Sequence, residues 1–201
     1  MTHVLITRPL PAAQQLADQL EKNGLVPVVA PMYTFSEREP GIDVDIGGSG
    51  PVRKLAVFTS PRAVQFGIQY LPSGGLSGLE LAAVGSATAA ALKASGFIVD
   101  LQADSGYTSE DLLQLESLAV APGEAVIFCA PGGREKLADG LVELGWNVEK
   151  ALVYERVQLP VANGHIETLR SVNDLISVWT SNSAADMARE TLPGDVWKKV
   201  L

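Results

Sequence analysis

The sequence has 201 residues, which is long enough for one large or two small domains with apolar cores. Hydrophobic residues make up 47% and charged residues 19%, which excludes a disordered or low-complexity chain. The formal charge of −8 argues against a nucleic-acid partner, and the single cysteine, Cys129, excludes a disulfide framework or a cysteine-based zinc cluster.

No targeting or membrane-spanning segment is recognisable in the sequence. The N-terminus MTHVLITRP lacks the basic lead and long apolar stretch of a secretory signal peptide. No window approaches the 18 uninterrupted apolar residues typical of a transmembrane helix. We therefore expect a cytoplasmic protein of a reducing compartment, without a membrane partner.

Short apolar runs alternate with helical patterns along the chain. A strand is predicted over 4–7, followed by a helix over 11–23 whose apolar residues recur with helical spacing. Further strands are predicted at 26–31, 55–60, 79–85, 97–101, 125–130, 148–154 and 175–180. Strands that are apolar throughout and alternate with helices are typical of parallel sheets covered on both faces. The predicted fold class is α/β.

The chain contains an internal repeat with a constant offset of 121 residues. This shift places 5–33 on 126–154, and 57–72 on 178–193, without a gap in either block. Chance similarity rarely gives the same offset twice, so we interpret the protein as two copies of one α/β unit.

The second copy of this repeat is shorter than the first. The first copy continues over 81–97 with a strand, a turn and a helix, whose equivalent would begin at position 202. We therefore expect the complete gene product to extend beyond Leu201 by on the order of 40 residues.

Seven motifs, in order, resemble those of bacterial uroporphyrinogen-III synthases: LITRP, FTSPRAV, AVGSATAAAL, YTSEDLL, GGREKLADGL, ALVYERV and WTSNSA. The resemblance covers essentially the whole chain, although no single motif is specific. The sequence departs from the family pattern in two places. A second AVG-type strand with its Thr-rich turn is absent, and Asn182 and Ser183 replace the Pro-Arg pair of FTSPRAV in the second copy.

The resemblance implies two similar α/β domains, with parallel sheets flanked by helices, that exchange segments. The first domain would comprise 1–35 and 158–201, without its last elements, and the second 36–157. The linkers would be 33–40 and 154–160, which are both polar, end in proline and are equivalent in the repeat. Such a two-stranded linker would permit hinge motion about a cleft between the domains.

Two Thr-Ser pairs are the first candidates for binding a ligand. Thr59 and Ser60, and in the second copy Thr180 and Ser181, each end an apolar strand and begin a helix. Ligands of parallel sheets bind at the carboxyl ends of the strands, where hydroxyls and free N–H groups can bind carboxylates. The alternative is that both pairs are ordinary helix N-caps.

A third junction of this kind contains Gly85, Ser86 and Thr88. Small residues at such a turn let a ligand approach the backbone closely. The alternative is that they serve only the packing of an Ala-rich helix.

Three arginines are candidate partners for ligand carboxylates: Arg8, Arg62 and Arg134. As exposed ion pairs within the protein they would contribute little. Gly133 and Arg134 lie in a Gly-rich loop that lacks the Gly-Lys-Ser/Thr ending of a phosphate-binding loop, so nucleotide binding is not supported.

Tyr154 closes a predicted strand where the chain enters a linker, and a phenol at a cleft edge can donate a proton. Its equivalent in the repeat, Tyr33, favours a packing role for both. The resembled family carries a functionally implicated tyrosine at the position of Tyr154, which implies a catalytic role for this residue.

Other common site types lack support in this sequence. His3 and His165 have no third ligand nearby, so no metal site is expected. Cys129 lies inside an apolar strand and is interpreted as a small buried hydrophobe. No Gly-x-Ser-x-Gly elbow of a hydrolase occurs.

The resemblance implies a lyase of haem biosynthesis that cyclises the linear tetrapyrrole hydroxymethylbilane to uroporphyrinogen III. The reaction loses water, inverts ring D and needs no cofactor. The substrate carries eight carboxylates while the chain has a charge of −8, so binding would depend on local N–H groups, hydroxyls and arginines. The dehydrated intermediate closes by itself to the unflipped isomer, so the enzyme would chiefly position ring D, with Tyr154 assisting loss of the hydroxyl.

A second interpretation remains open at this point. A non-catalytic two-domain protein that binds a small anionic ligand in its cleft would show the same repeat and the same helix starts. In either case the expected partner is a small molecule, not nucleic acid or a membrane, and the chain is expected to be a monomer.

Overall fold

The structure is a computed structural model that describes residues 1–44, 46, 51–72, 76–103, 108–133 and 135–201. The chain forms two compact units, and unit 1 is discontinuous. Unit 1 comprises Met1–Ser36 and Arg156–Leu201, and unit 2 comprises Glu37–Glu155.

Strands and helices alternate over most of the described chain. In chain order the elements are β1 (His3–Ile6), α1 (Ala12–Lys22), β2 (Val26–Val29), β3 (Tyr33–Glu37), β4 (Lys54–Phe58), α2 (Pro61–Gly67), a 3₁₀ turn (Ile68–Tyr70), β5 (Leu79–Ala83), α3 (Ser86–Ala94), β6 (Leu101–Gln102), α4 (Ser109–Leu113), α5 (Glu116–Ala119), β7 (Glu124–Cys129), α6 (Lys136–Glu143), β8 (Asn147–Leu152), β9 (Tyr154–Gln158), α7 (Asn163–Ser171), β10 (Leu175–Val178), α8 (Asn182–Thr191) and α9 (Gly194–Val200). No described helix is long and apolar enough to cross a membrane.

Unit 2 is built on a parallel sheet with the strand order β6-β5-β4-β7-β8. Alternate residues of β4 face opposite sides, because successive side chains of a strand point to opposite faces. Leu55 and Val57 join a core cluster with residues of α4, α5 and α6. Phe58 stacks on Phe128 of β7 with ring centroids 4.6 Å apart, and Gly67 of α2 lies directly against Phe128. Helices therefore cover both faces of this sheet.

Unit 1 is built on a parallel sheet with the strand order β10-β1-β2. On one face, Val4 and Ile6 pack against Ala13 and Ala17 of α1. On the other face, Leu5 belongs to a cluster with residues of α7, α8 and α9. Both units therefore confirm the predicted α/β class with parallel sheets flanked by helices.

The 121-residue offset also relates backbone hydrogen bonds of the two units. His3 N–H donates to the carbonyl of Asp174 over 2.9 Å in unit 1, and Glu124 N–H donates to that of Arg53 over 2.9 Å in unit 2. Each bond lies at the entry to its sheet. In each unit, the first strand of one repeat copy therefore begins beside a strand of the other copy: β1 beside β10 in unit 1, and β7 beside β4 in unit 2.

One predicted strand, over 97–101, is wrong for most of its length. Only Leu101 and Gln102 pair with a neighbouring strand, β5. Before them, Asp100 bonds to both backbone groups of Leu81 in β5: its carboxylate accepts the N–H of Leu81 over 2.8 Å, and its own N–H donates to the carbonyl of Leu81 over 2.9 Å. Ile98 is 78% exposed, so the apolar composition of this segment does not mark a buried strand.

The strand predicted over 148–154 is two strands in the structure. β8 ends at Leu152, and Tyr154 begins β9. β3 and β9 form a two-stranded sheet, so much of the two segments interpreted as linkers, 33–40 and 154–160, is regular strand. Polar composition did not reveal this pairing, because exposed strands satisfy their backbone groups from each other whatever their side chains.

Candidate functional site

Five predicted site residues of unit 2 lie at the carboxyl edge of its sheet. Thr59 and Ser60 follow β4, Gly85 follows β5, Gly133 follows β7 and Tyr154 follows β8. The strands are parallel and adjacent, so these positions belong to one edge. This is the edge at which parallel α/β sheets bind their ligands.

The side chains of Tyr154 and Ser60 meet at this edge. Tyr154 Oη lies 3.0 Å from Ser60 Oγ, and either atom can be the donor. The Tyr154 ring stacks on Phe66 of α2, with centroids 5.9 Å apart and an interplanar angle of 20°. Tyr154 is only 6% exposed, so packing fixes its ring and directs its hydroxyl to Ser60.

Ser60 is also the N-cap of α2. Its backbone is extended, and its Oγ accepts the N–H of Ala63 over 3.0 Å. Pro61 at the first helical position suits this start, because its ring fixes φ and it has no N–H to satisfy. The N-cap role proposed as the alternative is therefore present, and the contact with Tyr154 is additional to it.

Thr59, the other member of this pair, makes a different contact. Its hydroxyl donates to the carbonyl of Phe128 over 3.0 Å, and its N–H donates to the same oxygen over 3.3 Å. Thr59 therefore ties the end of β4 to the end of β7, and its hydroxyl proton is used within the fold.

The three predicted residues at the start of α3 differ in their exposure to solvent. Gly85 is the N-cap with extended backbone, and Ser86 is exposed. Thr88 is only 3% exposed, so its side chain faces the interior of unit 2. Of these three residues, Ser86 has the most accessible side chain.

The remaining predicted residues of unit 2 are on α2 and in the loop after β7. Arg62 Nη1 donates to Gln65 Oε1 over 2.5 Å along α2. Gly133 is exposed in the loop, next to Gly132, whose φ of +68° lies in the left-handed region. Arg134 lies outside the described residues.

Unit 1 carries an equivalent hydroxyl pair. Tyr33 Oη lies 3.4 Å from Ser181 Oγ, and Ser181 caps α8 by accepting the N–H of Ala184 over 3.2 Å. The Tyr33 ring makes an edge contact with Phe35, and the Arg156 guanidinium lies 6.0 Å from its centroid. In each unit the tyrosine of one repeat copy therefore meets the serine of the other copy.

The other two predicted residues of unit 1 follow β10 and β1. Thr180 is exposed directly before Ser181, and Arg8 is half-buried after β1. Sequence reasoning missed Thr7, which is fully buried and donates its hydroxyl to the carbonyl of Val178 over 3.0 Å. No sequence signal distinguishes this contact.

Sequence reasoning also missed that the tyrosines and serines are partners. The signal was available: an exchange of segments puts Tyr33 in the unit that contains Ser181, and Tyr154 in the unit that contains Ser60. Phenol and serine hydroxyls can donate and accept hydrogen bonds, and a phenol can give a proton to a leaving group.

Two other kinds of site find no candidate among the described residues. None of them forms a group of three or more His, Cys, Asp or Glu side chains that could hold a metal ion. Burial raises the pKa of the Cys129 thiol, which disfavours the nucleophilic thiolate. The tyrosine and serine hydroxyls at the carboxyl edges are therefore the groups that we consider for chemistry.

Comparison with known proteins gives one consistent result. The family model described as uroporphyrinogen-III synthase HemD matches residues 14–195. Uroporphyrinogen-III synthase of Salmonella typhimurium is 33% identical over 159 residues, which is 76% of this chain. The same match spans 64% of that relative's length, slightly less than two thirds.

Solved structures of similar fold carry the same description. A mutant uroporphyrinogen III synthase from Thermus thermophilus has a TM-score of 0.62 at 20% identity, covering 99% of this chain and 81% of its own. The enzyme from Helicobacter pylori 26695 has a TM-score of 0.59 at 19% identity, covering 96% and 78%. At these identities the likeness shows the fold.

Proposed function

Since the chain belongs to the uroporphyrinogen-III synthase family, we propose that it cyclises hydroxymethylbilane to uroporphyrinogen III as a cofactor-independent lyase. The observation that carries the proposal is the Tyr154–Ser60 hydroxyl pair at the carboxyl edge of the unit 2 sheet. It provides a fixed phenol where a parallel sheet binds its ligand, and the reaction begins with loss of a hydroxyl group.

In the first step the C–O bond of the hydroxymethyl group breaks. The lone pair of the adjacent pyrrole nitrogen supplies the electrons for a new C=C bond, and the C–O electron pair leaves with oxygen. The phenol proton of Tyr154 goes to this oxygen, so that water departs and a protonated, electrophilic methylene-pyrrolenine remains, whose positive charge balances the Tyr154 phenolate. Proton transfer by a positioned side chain contributes about 10²–10⁴-fold to such a step.

In the second step ring D attacks the new electrophile through its substituted carbon. Attack by the unsubstituted carbon is easier in free solution, so the protein must hold ring D in the less accessible orientation. Positioning of this kind supplies much of the barrier reduction in intramolecular reactions. In the resulting spiro intermediate, the older bond from the substituted carbon to the methylene of the neighbouring ring breaks, and the unsubstituted carbon of ring D bonds to that methylene instead. This carbon then loses the proton that restores the Tyr154 phenol.

The overall charge of −8 does not favour binding of the eight substrate carboxylates, so local hydrogen-bond donors would bind them. In unit 2, Ser86 at the start of α3 offers an exposed hydroxyl, and Arg62 on α2 offers a half-buried guanidinium. Thr180, Ser181 and Arg8 offer hydroxyls and a guanidinium in unit 1. Charge-assisted hydrogen bonds from such groups bind carboxylates without a basic surface.

The test is to couple the protein to a source of hydroxymethylbilane and to separate the product isomers by chromatography. We expect uroporphyrinogen III in excess over the unflipped isomer that forms without enzyme. Heat-denatured protein in the same mixture gives the spontaneous background. If only the unflipped isomer forms, the enzymatic proposal is wrong and a non-catalytic anion-binding protein becomes the better interpretation.

A further inference from the structure

We propose that Ser60 is a positioning residue for Tyr154, which holds the phenol in place and stabilises the phenolate formed when the hydroxyl group leaves. This inference rests on the proposed cyclisation, and it assigns to Ser60 a role other than direct contact with the substrate. It is carried by the chain of hydrogen bonds Ala63–Ser60–Tyr154 in unit 2.

The geometry determines which hydrogen bond Ser60 can donate. Its Oγ accepts the N–H of Ala63 over 3.0 Å, which uses one of its lone pairs. Tyr154 Oη lies 3.0 Å from the same oxygen, well within the range of an O–H···O hydrogen bond. The Ser60 proton can therefore be directed to Tyr154, while the Ala63 N–H polarises the hydroxyl from behind.

This contact strengthens during the reaction. Before the proton transfer, Ser60 and the Tyr154 phenol share a hydrogen bond between two neutral hydroxyls. Once Tyr154 has given its proton to the departing oxygen, Ser60 donates to a phenolate, and hydrogen bonds to an ionised acceptor are roughly twice as strong. An interaction that is stronger in the transition state raises kcat and leaves KM nearly unchanged.

The surroundings make Ser60 the suitable neighbour for this role. The Thr59 hydroxyl already donates to the backbone carbonyl of Phe128, so its proton is not available for a hydrogen bond to Tyr154. Stacking on Phe66 keeps the Tyr154 ring from turning away. The equivalent pair in unit 1, Tyr33 and Ser181, is longer, at 3.4 Å.

Three substitutions at position 60 separate the cap from the contact with Tyr154. Ser60→Ala removes both. Ser60→Asp keeps an acceptor for the Ala63 N–H, but its carboxylate has no proton to donate. Ser60→Thr keeps the cap and the donor. We expect kcat for type III formation to fall about 10-fold in the Ala and Asp variants, with KM within about 2-fold in the Ala variant, and Ser60→Thr to restore kcat.

A matched control removes an N-cap elsewhere in unit 2. Thr108 caps α4 in a capping box with Asp111 and has no part in the proposed site. Thr108→Ala should destabilise the unit to a degree similar to Ser60→Ala, because both lose a cap. Its kcat should stay at the wild-type value.

The decisive measurement places Ser60→Ala in a Tyr154→Phe background. If Ser60 acts through the phenol, the second substitution should cause no further loss of kcat. An equal loss in both backgrounds, or wild-type kcat in both Ser60→Ala and Ser60→Asp, would overturn the role of Ser60. Failure of the wild-type chain to form any type III isomer overturns the cyclisation itself, and with it this inference.

Discussion

Strands β4 and β10 occupy equivalent positions in the two units, but they are buried to very different extents. β4 lies between β5 and β7, and its second residue, Leu55, is fully buried. Among the described residues, β10 pairs only with β1, and the equivalent Ile176 is 51% exposed. Both strands are apolar, so burial here follows from the neighbouring elements and not from the composition of the strand.

The two tyrosine–serine pairs differ in a similar way. The Tyr154–Ser60 distance is 3.0 Å and the phenol is held by a stacked Phe66, whereas the Tyr33–Ser181 distance is 3.4 Å. The sequence repeat therefore gives each unit the same hydroxyl pair, whereas the distance within the pair and the neighbours of the tyrosine ring differ, with Phe66 stacked on Tyr154 and Phe35 in edge contact with Tyr33. Equivalent substitutions in the two units measure these differences.

The largest expected effect comes from shortening the two equivalent strand residues. Leu55→Ala leaves a cavity in the core of unit 2 and should cost about 2–5 kcal/mol of unfolding free energy. Ile176→Ala removes a half-exposed side chain and should change the unfolding free energy by about 0.5 kcal/mol or less. Urea unfolding followed by tryptophan fluorescence measures both. Equal losses would show that β10 is as deeply buried as β4.

The next effect concerns the two phenols. Tyr154→Phe should lower turnover about 10- to 100-fold, because the proton donor for the leaving hydroxyl is lost while the ring and its packing remain. The loss is at the low end of general acid catalysis because water can still protonate the departing oxygen. KM should barely change, and the fraction of type III isomer should be kept, since ring positioning does not depend on this hydroxyl. The measurement is kcat and KM with isomer separation.

Tyr33→Phe is the matched control for this prediction, because it removes the equivalent hydroxyl in unit 1. We expect its kcat and KM to stay close to the wild-type values. Wild-type activity in both phenylalanine variants would leave Tyr154 a structural residue, and positioning alone would then carry the mechanism. Alanine is avoided at both positions, because a cavity would disturb the packing as well.

The smallest effect concerns an exposed ion pair of unit 1. The Arg170 guanidinium donates to the Asp195 carboxylate over 2.7 and 3.2 Å, and this hydrogen bond lowers the pKa of Asp195. A carboxylate with a lowered folded-state pKa stabilises the fold above its ordinary pKa of about 3.9, and the stabilisation is lost as the pH falls through the lowered value.

Asp195→Asn should therefore lower the stability of unit 1 slightly at pH 7, with a difference from wild type that shrinks below about pH 4. Urea unfolding at several pH values, followed through Trp179 and Trp197, measures this difference. Asp186→Asn removes an exposed carboxylate of the same unit and controls for the change in net charge. A difference that is constant with pH would contradict the assigned role of the ion pair.

Local patterns were sufficient for the class of the fold and for most of its elements. The alternation of apolar runs with helical spacing predicts parallel sheets flanked by helices, because both signals depend on residues a few positions apart. Thr108 and Asp111 form a capping box, a local pattern in which the two residues are three positions apart. The 97–101 segment shows the limit of such patterns, because Ile98 is apolar and yet exposed.

The sequence by itself determined the two repeat copies and the residues that stand at the ends of their strands. Only the tertiary structure decided that Tyr154 meets Ser60, 94 residues away, and that Tyr33 meets Ser181. The physical reason is that capping and periodicity depend on neighbours in the chain, whereas burial and hydroxyl partners depend on which distant segments pack together.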